Sequence, residues 1–352
     1  MNGNNINPSD GARRRGKGRI ALIVICVILA LLLLLAATAF LYVNSILNKI
    51  PRATEPETTL SPEQIAIIEN GEDEEDYQDF IQATVDTTVD TLPTEPVTLP
   101  DEEPELIQAD HLINILLIGQ DRRPGEGRAR SDAMVLCTFN LKTGSLTMTS
   151  FLRDLYVKIP GYRDNRINAS YALGGMKLLN ATLEKNFGIH IDGNVEVDFS
   201  EFKRIIDLLG GVDITLSESE ARVVGVSAGT QHLNGEQALA YSRIRKLDSD
   251  FGRTNRQRTV LTALIQAYRN KPLNEMVALL DEILPIVTTD MSNSQILGYV
   301  MDIFPLLSGC TITTQHIPAS GTYTSTRIRG MAVLYPDLEA NRDILRETLL
   351  GY

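Results

Sequence analysis

Arginine and aspartate residues recur beside the apolar runs of this 352-residue chain, where they could act on a charged ligand. They follow the apolar runs 114–118 and 145–151, precede the run 133–139, and gather again between 241 and 258. The candidates are Asp121, Arg123, Arg130, Asp132, Arg153, Asp154, Arg243, Arg245, Asp250, Arg253, Arg256 and Gln257. A single Arg–Asp pair is typical of a surface salt bridge. Here arginine and aspartate recur at several predicted strand ends, where α/β folds build their sites, and this indicates a localised anion site.

These residue types suit one kind of ligand, a pyrophosphate held together with a metal ion. Arginine donates two parallel hydrogen bonds to phosphate oxygens and does not lose its proton. A pair of aspartates supplies the hard oxygen ligands that Mg²⁺ prefers, and the ion usually bridges to substrate phosphates. The sequence has no G-x-S-x-G nucleophile elbow and no P-loop, and its four histidines are scattered without the spacing of metal ligands.

Charge is distributed very unevenly along the chain. Residues 1–52 carry a net charge of +6, residues 53–110 carry −18, and residues 111–352 carry 26 charges of each sign. The acidity therefore belongs to one segment and says nothing about the ligand of the C-terminal region. A neutral C-terminal region argues against a nucleic-acid-binding protein, which would usually have a strongly basic domain.

An uncharged apolar run from Ile20 to Val43 predicts a transmembrane anchor. A helix of this length would be about 36 Å long, enough to cross a hydrocarbon core of about 30 Å with some tilt. The basic residues between 13 and 19 place the tail 1–19 in the cytoplasm and the rest of the chain outside. A cleaved signal peptide is the alternative, because Ala37-Thr38-Ala39 fits the A-x-A pattern. The run is longer than a signal's usual apolar region, which favours an uncleaved anchor.

The segment 44–110 is predicted to be an extracellular linker. It is acidic and contains repeated threonines and prolines, so it cannot bury much apolar surface, and disorder is the expectation. A short helix at 62–69 is the exception, because Ser61-Pro62-Glu63-Gln64 combines an N-cap, a proline at the first helical position and a capping-box glutamine.

From residue 111 to residue 352 the pattern is that of one catalytic domain. Apolar runs predict strands at 114–118, 133–139, 145–151, 195–199, 212–216 and 311–317. Helices are predicted at 171–187, 201–209, 235–244, 254–269, 273–285, 293–307 and 337–349, with Ser200 capping the second of these. Because strands and helices interleave, we expect an α/β fold, a three-layer α/β/α sandwich with a mixed central sheet.

The three cysteines are too few for a disulfide framework. Cys26 lies in the apolar run, where it is interpreted as an apolar filler. Cys137 and Cys310 fall at predicted strands and are interpreted as packing residues. A disulfide between Cys137 and Cys310 stays open at this point.

Seven motifs follow one another along the chain. They are NILLIGQDRR (114–123), RSDAMVL (130–136), SFLRDLYVKIP (150–160), RINASYALGG (166–175), VDFSEFKRIIDLLGGVDI (197–214), HLNGEQALAYSRIRK (232–246) and DFGRTNRQR (250–258). In order and spacing they resemble the LytR-CpsA-Psr family of the Gram-positive envelope. One departure is Leu152, where the family often has proline. We expect it to change the stiffness of the loop without removing Arg153.

The resemblance implies a role for each candidate residue. Asp121 and Asp132 would hold Mg²⁺ on the pyrophosphate, Asp154 would orient Arg153, and Asp250 would assist deprotonation of the acceptor. Asn168 and Gln257 would position loops or substrate. The candidates for phosphate binding are Arg123, Arg130, Arg153, Arg243, Arg245, Arg253 and Arg256.

The resemblance also implies a function. Such proteins are membrane-anchored extracellular phosphotransferases that move an anionic glycopolymer from a polyprenyl-pyrophosphate carrier to peptidoglycan through a phosphodiester. Two alternatives stay open. A binding protein for the lipid carrier or a pyrophosphatase would use the same arginines and aspartates. A transcriptional regulator would need access to DNA, which an exported domain lacks.

Overall fold

The computed structural model describes residues 38, 41–53, 60–70, 99–101, 103–120, 130–245 and 247–351. The chain divides into two compact units, Met1–Lys49 and Ile50–Tyr352. In the first unit, residues 41–47 are helical. Most of the apolar run 20–43 lies outside the described residues, and with it the predicted anchor. No helix within the described ranges is both long enough and apolar enough to cross a membrane.

The described part of the second unit contains twelve strands and nine α-helices. The strands are β1 (Leu112–Gln120), β2 (Ser131–Asn140), β3 (Ser145–Phe151), β4 (Tyr156–Val157), β5 (Asn165–Arg166), β6 (Gly193–Asp198), β7 (Val212–Leu216), β8 (Gly229–Leu233), β9 (Thr288–Thr289), β10 (Thr311–Ile317), β11 (Tyr323–Ile328) and β12 (Met331–Pro336). The helices are α1 (Pro62–Asn70), α2 (Ile167–Phe187), α3 (Phe199–Leu208), α4 (Glu218–Val224), α5 (Gly235–Ser242), α6 (Asp250–Tyr268), α7 (Leu273–Ile283), α8 (Asn293–Ile303) and α9 (Leu338–Leu350).

Six strands form a mixed central sheet in the order β10-β3-β2-β1-β6-β9, which confirms the predicted mixed sheet. The pairs β1–β2, β2–β3 and β6–β9 are antiparallel, whereas β3–β10 and β1–β6 are parallel. The turn between β2 and β3 ends at Gly144, whose φ of +65° is in the left-handed region that glycine adopts without strain. Three further hairpin-like pairs, β4–β5, β7–β8 and β11–β12, lie outside this sheet.

Helices pack on both faces of the central sheet. Alternate residues of a strand point to opposite faces. In β2, Met134 and Leu136 belong to the core beneath α2 and α9, whereas Val135 and Cys137 pack with Leu261 of α6 on the other side. The ends of the strands therefore lie between two helical layers, where loops from both layers can bring side chains together.

The cap of α3 and the end of α8 are among the helix boundaries that differ from the predictions. The helix α3 is capped by Asp198 and not by the predicted Ser200, because Asp198 accepts hydrogen bonds from the N–H groups of Ser200 and Glu201 at 2.8 and 2.9 Å. The helix predicted at 293–307 ends at Ile303 and continues as a 3₁₀ helix at Phe304–Gly309.

The described parts of the predicted linker contact the domain. The predicted helix is confirmed as α1, which packs against α2. Arg52 forms a parallel bridge with Thr289 of β9 and so extends the edge of the central sheet. Leu99 and Ile107 are buried in the main core. These segments are therefore part of the folded unit and are not a solvated spacer.

Cys137 and Cys310, whose pairing the sequence left open, are both free and buried. They pack in the same apolar cluster beneath α6, together with Leu146 and Met148. The interpretation of the two cysteines as packing residues is consistent with this burial.

Candidate functional site

Several candidate residues meet where β2 begins and β3 ends. Asp132 is the second residue of β2, Arg153 and Asp154 follow β3, and Asp250 is the first residue of α6. Because β2 and β3 are antiparallel neighbours, the start of one strand lies beside the end of the other. The topology thus brings together residues that are more than a hundred positions apart in the sequence.

Backbone hydrogen bonds fix the turn that carries Arg153. The N–H of Leu152 donates to the carbonyl oxygen of Ile317 in β10 at 2.9 Å. The N–H of Ile167, the first residue of α2, donates to the carbonyl oxygen of Leu155 at 2.8 Å. A proline in place of Leu152 would have no N–H to donate. The departure from the family pattern therefore adds a hydrogen bond beside Arg153.

Asp132 contacts three arginines. Its Oδ1 lies 3.1 Å from Nη1 of Arg153, and its Oδ2 lies 3.5 Å from Nη2 of Arg245. Arg253 donates to its backbone carbonyl oxygen at 3.2 Å. Burial acts to raise the pKa of Asp132, but Arg153, Arg253 and Arg245 outweigh it and hold this pKa below its ordinary value. The carboxylate is therefore ionised at neutral pH.

Asp154 lies between two guanidinium groups. Its Oδ2 is 3.7 Å from Nε of Arg153, and its Oδ1 is 3.4 Å from Nη1 of Arg166. Burial is the main cause that raises the pKa of Asp154; Arg153 opposes the rise and the neighbouring Asp250 adds to it. The ion pair with Nε of Arg153 is the contact through which Asp154 would orient that arginine.

Three residues of α6 line the site from the other side. Asp250, Arg253 and Gln257 are spaced by three and four positions, so they share one face of the helix. Nη2 of Arg253 lies 2.9 Å from Oδ1 of Asp250, which is itself 4.0 Å from Nε of Arg153. Within the described residues, the buried atoms Oδ2 of Asp250, Nε of Arg253 and Oε1 of Gln257 have no hydrogen-bond partner. Such groups are costly unless a polar ligand or water satisfies them.

We call this set the Arg–Asp cluster: Arg153, Arg166, Arg245, Arg253, Asp132, Asp154 and Asp250. It has four guanidinium groups and three carboxyl groups, so positive charge is in excess. Arg153 is only 8% exposed and Arg253 only 2% exposed. Charges in such a partly buried site interact more strongly than they do in water. A compact ligand with several negative charges is therefore the chemistry that the cluster suits.

Arg166 is the member of the cluster that the sequence interpretation missed. It lies in the motif RINASYALGG, which carried the resemblance but gave no reason to select this arginine. It is 5% exposed and precedes α2, and its ion pair with Asp154 becomes visible only in the fold. Asn168, which the sequence did suggest, is also buried here, and its Oδ1 has no hydrogen-bond partner in the described structure.

Arg256 does not belong to the cluster, contrary to its selection as a phosphate-binding candidate. Its Nε lies 2.7 Å from Oε1 of Glu220 and its Nη2 lies 2.5 Å from Oδ2 of Asp248, while Nη1 donates to the carbonyl oxygen of Ile244 at 3.1 Å. These contacts occupy the guanidinium group on another side of α6. Arg256 therefore ties α6 to α4 and to the loop that precedes α6.

The four remaining charged candidates from the sequence are Asp121, Arg123, Arg130 and Arg243. Asp121 and Arg123 lie outside the described residues, so their roles stay predictions. Arg243 is exposed, and its guanidinium carbon lies 4.4 Å from the centre of the Phe199 ring. Arg130 is half-buried and directly precedes β2.

The described residues include one of the two predicted magnesium ligands, Asp132. No group of three or more His, Cys, Asp or Glu side chains within the described ranges is arranged to hold a metal ion. Mg²⁺ is usually bound by one or two carboxylates together with substrate phosphates. A carboxylate beside several arginines fits this kind of donor set, in which substrate phosphates would supply the other ligands.

The model of the LytR_cpsA_psr family matches residues 76–347, and the chain belongs to this family. Regulatory protein MsrR of Staphylococcus aureus (strain Mu50 / ATCC 700699) is 39% identical over 163 residues, which cover 45% of this chain and 50% of MsrR. The polyisoprenyl-teichoic acid–peptidoglycan teichoic acid transferase TagU of Bacillus mycoides (strain KBAB4) is 42% identical over 158 residues, which cover 44% of this chain and 52% of TagU. The chain thus spans about half the length of these relatives.

The fold is similar to that of a solved member of the family. The structure of TagT from B. subtilis with bound octaprenyl pyrophosphate lipid is 27% identical, with a TM-score of 0.53. The similarity covers 73% of this chain and 100% of that chain. The central sheet and its helices are therefore those of the LytR-CpsA-Psr fold.

Proposed function

We propose that this chain is a phosphotransferase that moves an anionic glycopolymer from a polyprenyl-pyrophosphate carrier to peptidoglycan. The name of the relative TagU describes a transfer of teichoic acid to peptidoglycan, and the related TagT binds octaprenyl pyrophosphate. The observation that carries the proposal is the Arg–Asp cluster, with Arg153 buried at its centre and its guanidinium group beside three carboxyl groups. Its excess of positive charge suits a pyrophosphate.

The proposed reaction displaces one phosphate of the carrier. A sugar hydroxyl of peptidoglycan attacks the phosphorus atom that bears the glycopolymer, and a new P–O bond forms as the bond to the bridging oxygen of the pyrophosphate breaks. The polymer is then joined to the acceptor through a phosphodiester, and polyprenyl phosphate leaves. Oδ2 of Asp250 is the proposed acceptor of the hydroxyl proton, because it is buried and has no hydrogen-bond partner in the described structure.

The arginines would act mainly through charge and position. In phosphoryl transfer, preorganised cations that neutralise the developing charge supply most of the acceleration. Asp132 and Asp154 hold Arg153 before substrate binds, so little reorganisation is needed when the pyrophosphate arrives. Mg²⁺ held by Asp121 and Asp132 would supply further charge neutralisation at the phosphates.

We also propose that the chain is anchored by residues 20–43, with its N-terminus in the cytoplasm and its domain outside the cell. This placement puts the domain beside both the lipid carrier and peptidoglycan. A peptide tag added after Tyr352 should be recognised by an antibody on intact wall-stripped cells. Recognition only after lysis would contradict this orientation.

Product analysis tests the proposed activity. The full chain is incubated with a synthetic polyprenyl-pyrophosphate-linked glycopolymer, peptidoglycan and Mg²⁺, and muramidase-released fragments are analysed by mass spectrometry. Phosphodiester-linked polymer on the glycan together with polyprenyl phosphate supports the transferase. Polyprenyl phosphate together with free polymer would identify a pyrophosphatase, and unchanged donor that stays bound would identify a carrier-binding protein.

A further inference from the structure

The helix α8 has an apolar stripe that faces away from the protein. Leu297, Val300, Met301 and Phe304 follow the spacing i, i+3, i+4 and i+7, so they lie on one side of the helix and of the 3₁₀ turn that follows it. Val300 is 46% exposed, Met301 67% and Phe304 37%. None of the residues of α8 is buried. We call these four residues the α8 stripe.

The α8 stripe is not part of the core. The opposite side of the helix faces the domain, where Tyr299 and Ile303 line cavities against the ends of the central strands. Asp302 is the one charged residue in the sequence of α8. The outward face of α8 is therefore apolar and uncharged, and removing it from water would be favourable.

The structure connects α8 to the chain that follows the predicted anchor. Arg52 bridges to Thr289, and its guanidinium group donates to the carbonyl oxygen of Met291 and to Oδ1 of Asn293, the first residue of α8. Eight residues, 44–51, separate the end of the predicted anchor at Val43 from Arg52. Eight residues extend over at most about 30 Å. Leu297 lies about 6 Å farther along the helix axis from Asn293.

We propose that the α8 stripe docks on the outer surface of the membrane that holds the anchor. The occupant is a lipid bilayer, because the eight-residue connection limits the distance from the end of the predicted anchor to Arg52, which contacts the start of α8, to at most about 30 Å. Docking there would give the domain two attachments to the bilayer and so limit its rotation relative to the lipid carrier. This inference rests on the anchor in the proposed function.

Tryptophan fluorescence in the full chain tests this inference, because the natural sequence contains no tryptophan. Single variants Met301→Trp and Phe304→Trp report on the α8 stripe, and Leu32→Trp reports on the predicted anchor. Val223→Trp is the matched control, since Val223 is an apolar residue of α4 that is 53% exposed. Each protein is reconstituted into vesicles of phosphatidylglycerol and phosphatidylcholine with three kinds of acyl chain: unbrominated, brominated near the headgroups, and brominated near the chain ends.

We expect bromine near the headgroups to quench Met301→Trp and Phe304→Trp, bromine near the chain ends to quench Leu32→Trp, and neither brominated lipid to quench Val223→Trp. Quenching of Leu32→Trp without quenching of either stripe variant would overturn the docking and leave the anchor intact. Equal quenching of Val223→Trp and the stripe variants would also overturn it, because contact would not be specific to α8. Blue-shifted but unquenched emission from the stripe variants would indicate that a second copy of the chain, and not the bilayer, covers the α8 stripe. No quenching of Leu32→Trp would refute the anchor itself.

Discussion

Nη1 of Arg153 lies 3.1 Å from Oδ1 of Asp132, and this contact joins the end of β3 to the start of β2. The other carboxylate oxygen of Asp132 lies 3.5 Å from Nη2 of Arg245. One ionised carboxylate therefore positions two arginines from distant parts of the chain. Without its charge, the guanidinium groups would lose a shared counter-ion and a fixed orientation.

Asp132→Asn is expected to reduce transfer strongly, because it removes the charge while preserving the size of the side chain. Charge-assisted hydrogen bonds contribute about 1.5–3 kcal/mol, which corresponds to a loss of roughly tenfold to a hundredfold. We also expect a higher Mg²⁺ concentration for half-maximal rate. Initial rates over a Mg²⁺ series measure both effects, with Asp213→Asn in β7 as the exposed control. Unchanged rate and unchanged Mg²⁺ dependence would refute the role of Asp132.

Arg256→Lys is expected to lower stability while leaving turnover per folded molecule near that of the natural protein. Lysine cannot reproduce the separate contacts of the guanidinium group with Glu220, Asp248 and Ile244. The loss of partly buried charged hydrogen bonds costs about 1–3 kcal/mol in the free energy of unfolding. Urea unfolding and transfer rates at a temperature where both proteins are folded provide the comparison. A large loss of turnover without a loss of stability would place Arg256 in the reaction after all.

The two aspartates beside Arg153 are expected to affect stability with opposite dependence on pH. The lowered pKa of Asp132 means that its stabilising contribution is present above the ordinary pKa of 3.8 and is lost as pH falls through the native value. Because the pKa of Asp154 is raised, the folded protein keeps this carboxyl protonated to a higher pH than the unfolded chain does. The contribution of Asp154 to the free energy of unfolding therefore falls as pH rises from 3.8 through the pKa of the folded state.

The variants Asp132→Asn and Asp154→Asn separate these effects. Relative to the natural protein, Asp132→Asn should become less stable as pH rises from the acidic range, and Asp154→Asn should become more stable over the same range. Urea unfolding at a series of pH values measures the two differences. Parallel pH profiles for both variants would contradict the opposite pKa shifts.

Cys137 and Cys310 are expected to resist alkylation in the native protein. Burial raises the pKa of Cys137 to about 12 and also raises the pKa of Cys310, so few thiolates are present at neutral pH. In a Cys26→Ser background, iodoacetamide should modify neither residue until urea unfolds the chain. Rapid native modification, or a disulfide-linked peptide in the mass spectrum, would contradict the buried free thiols.

The sequence predicts the central sheet well, because strands buried on both faces appear as short, nearly continuous apolar runs. The hairpin β11–β12 was missed. Its turn contains Arg329 with φ of +52° followed by Gly330 with φ of +83°. Arginine rarely adopts the left-handed backbone conformation, so the dipeptide Arg329-Gly330 does not by itself predict a turn. The hairpin forms because the chain on either side of the turn packs into the domain.

The start of α6 shows why part of the site was harder to predict. The sequence predicts a helix from residue 254, but the helix begins at Asp250. A Cβ at residue 252 would overlap the carboxylate of Asp248, so this carboxylate would have to leave its position beside Arg256. The earlier start places Asp250 and Arg253 on the same face of α6.

The choice between Arg253 and Arg256 could not be made from the sequence. Both lie in the motif DFGRTNRQR, three positions apart, and both types of residue suit phosphate. The partners that separate them, Glu220 for Arg256 and the backbone of Asp132 for Arg253, come from distant parts of the chain. Sequence therefore identifies the residue types of the site, whereas the fold decides which arginines belong to it.

The most direct measurement compares Arg153→Lys with Arg256→Lys in transfer from a synthetic polyprenyl-pyrophosphate-linked donor to peptidoglycan. Both variants keep the charge and replace a largely buried guanidinium group by an ammonium group. If Arg153 binds the pyrophosphate with two parallel hydrogen bonds, lysine cannot reproduce them, and turnover should fall roughly tenfold to a hundredfold. Arg256→Lys should retain near-normal turnover, and donor binding measured alongside should weaken only for Arg153→Lys. Near-normal turnover and donor binding by a folded Arg153→Lys variant would contradict the assignment of the Arg–Asp cluster as the pyrophosphate site.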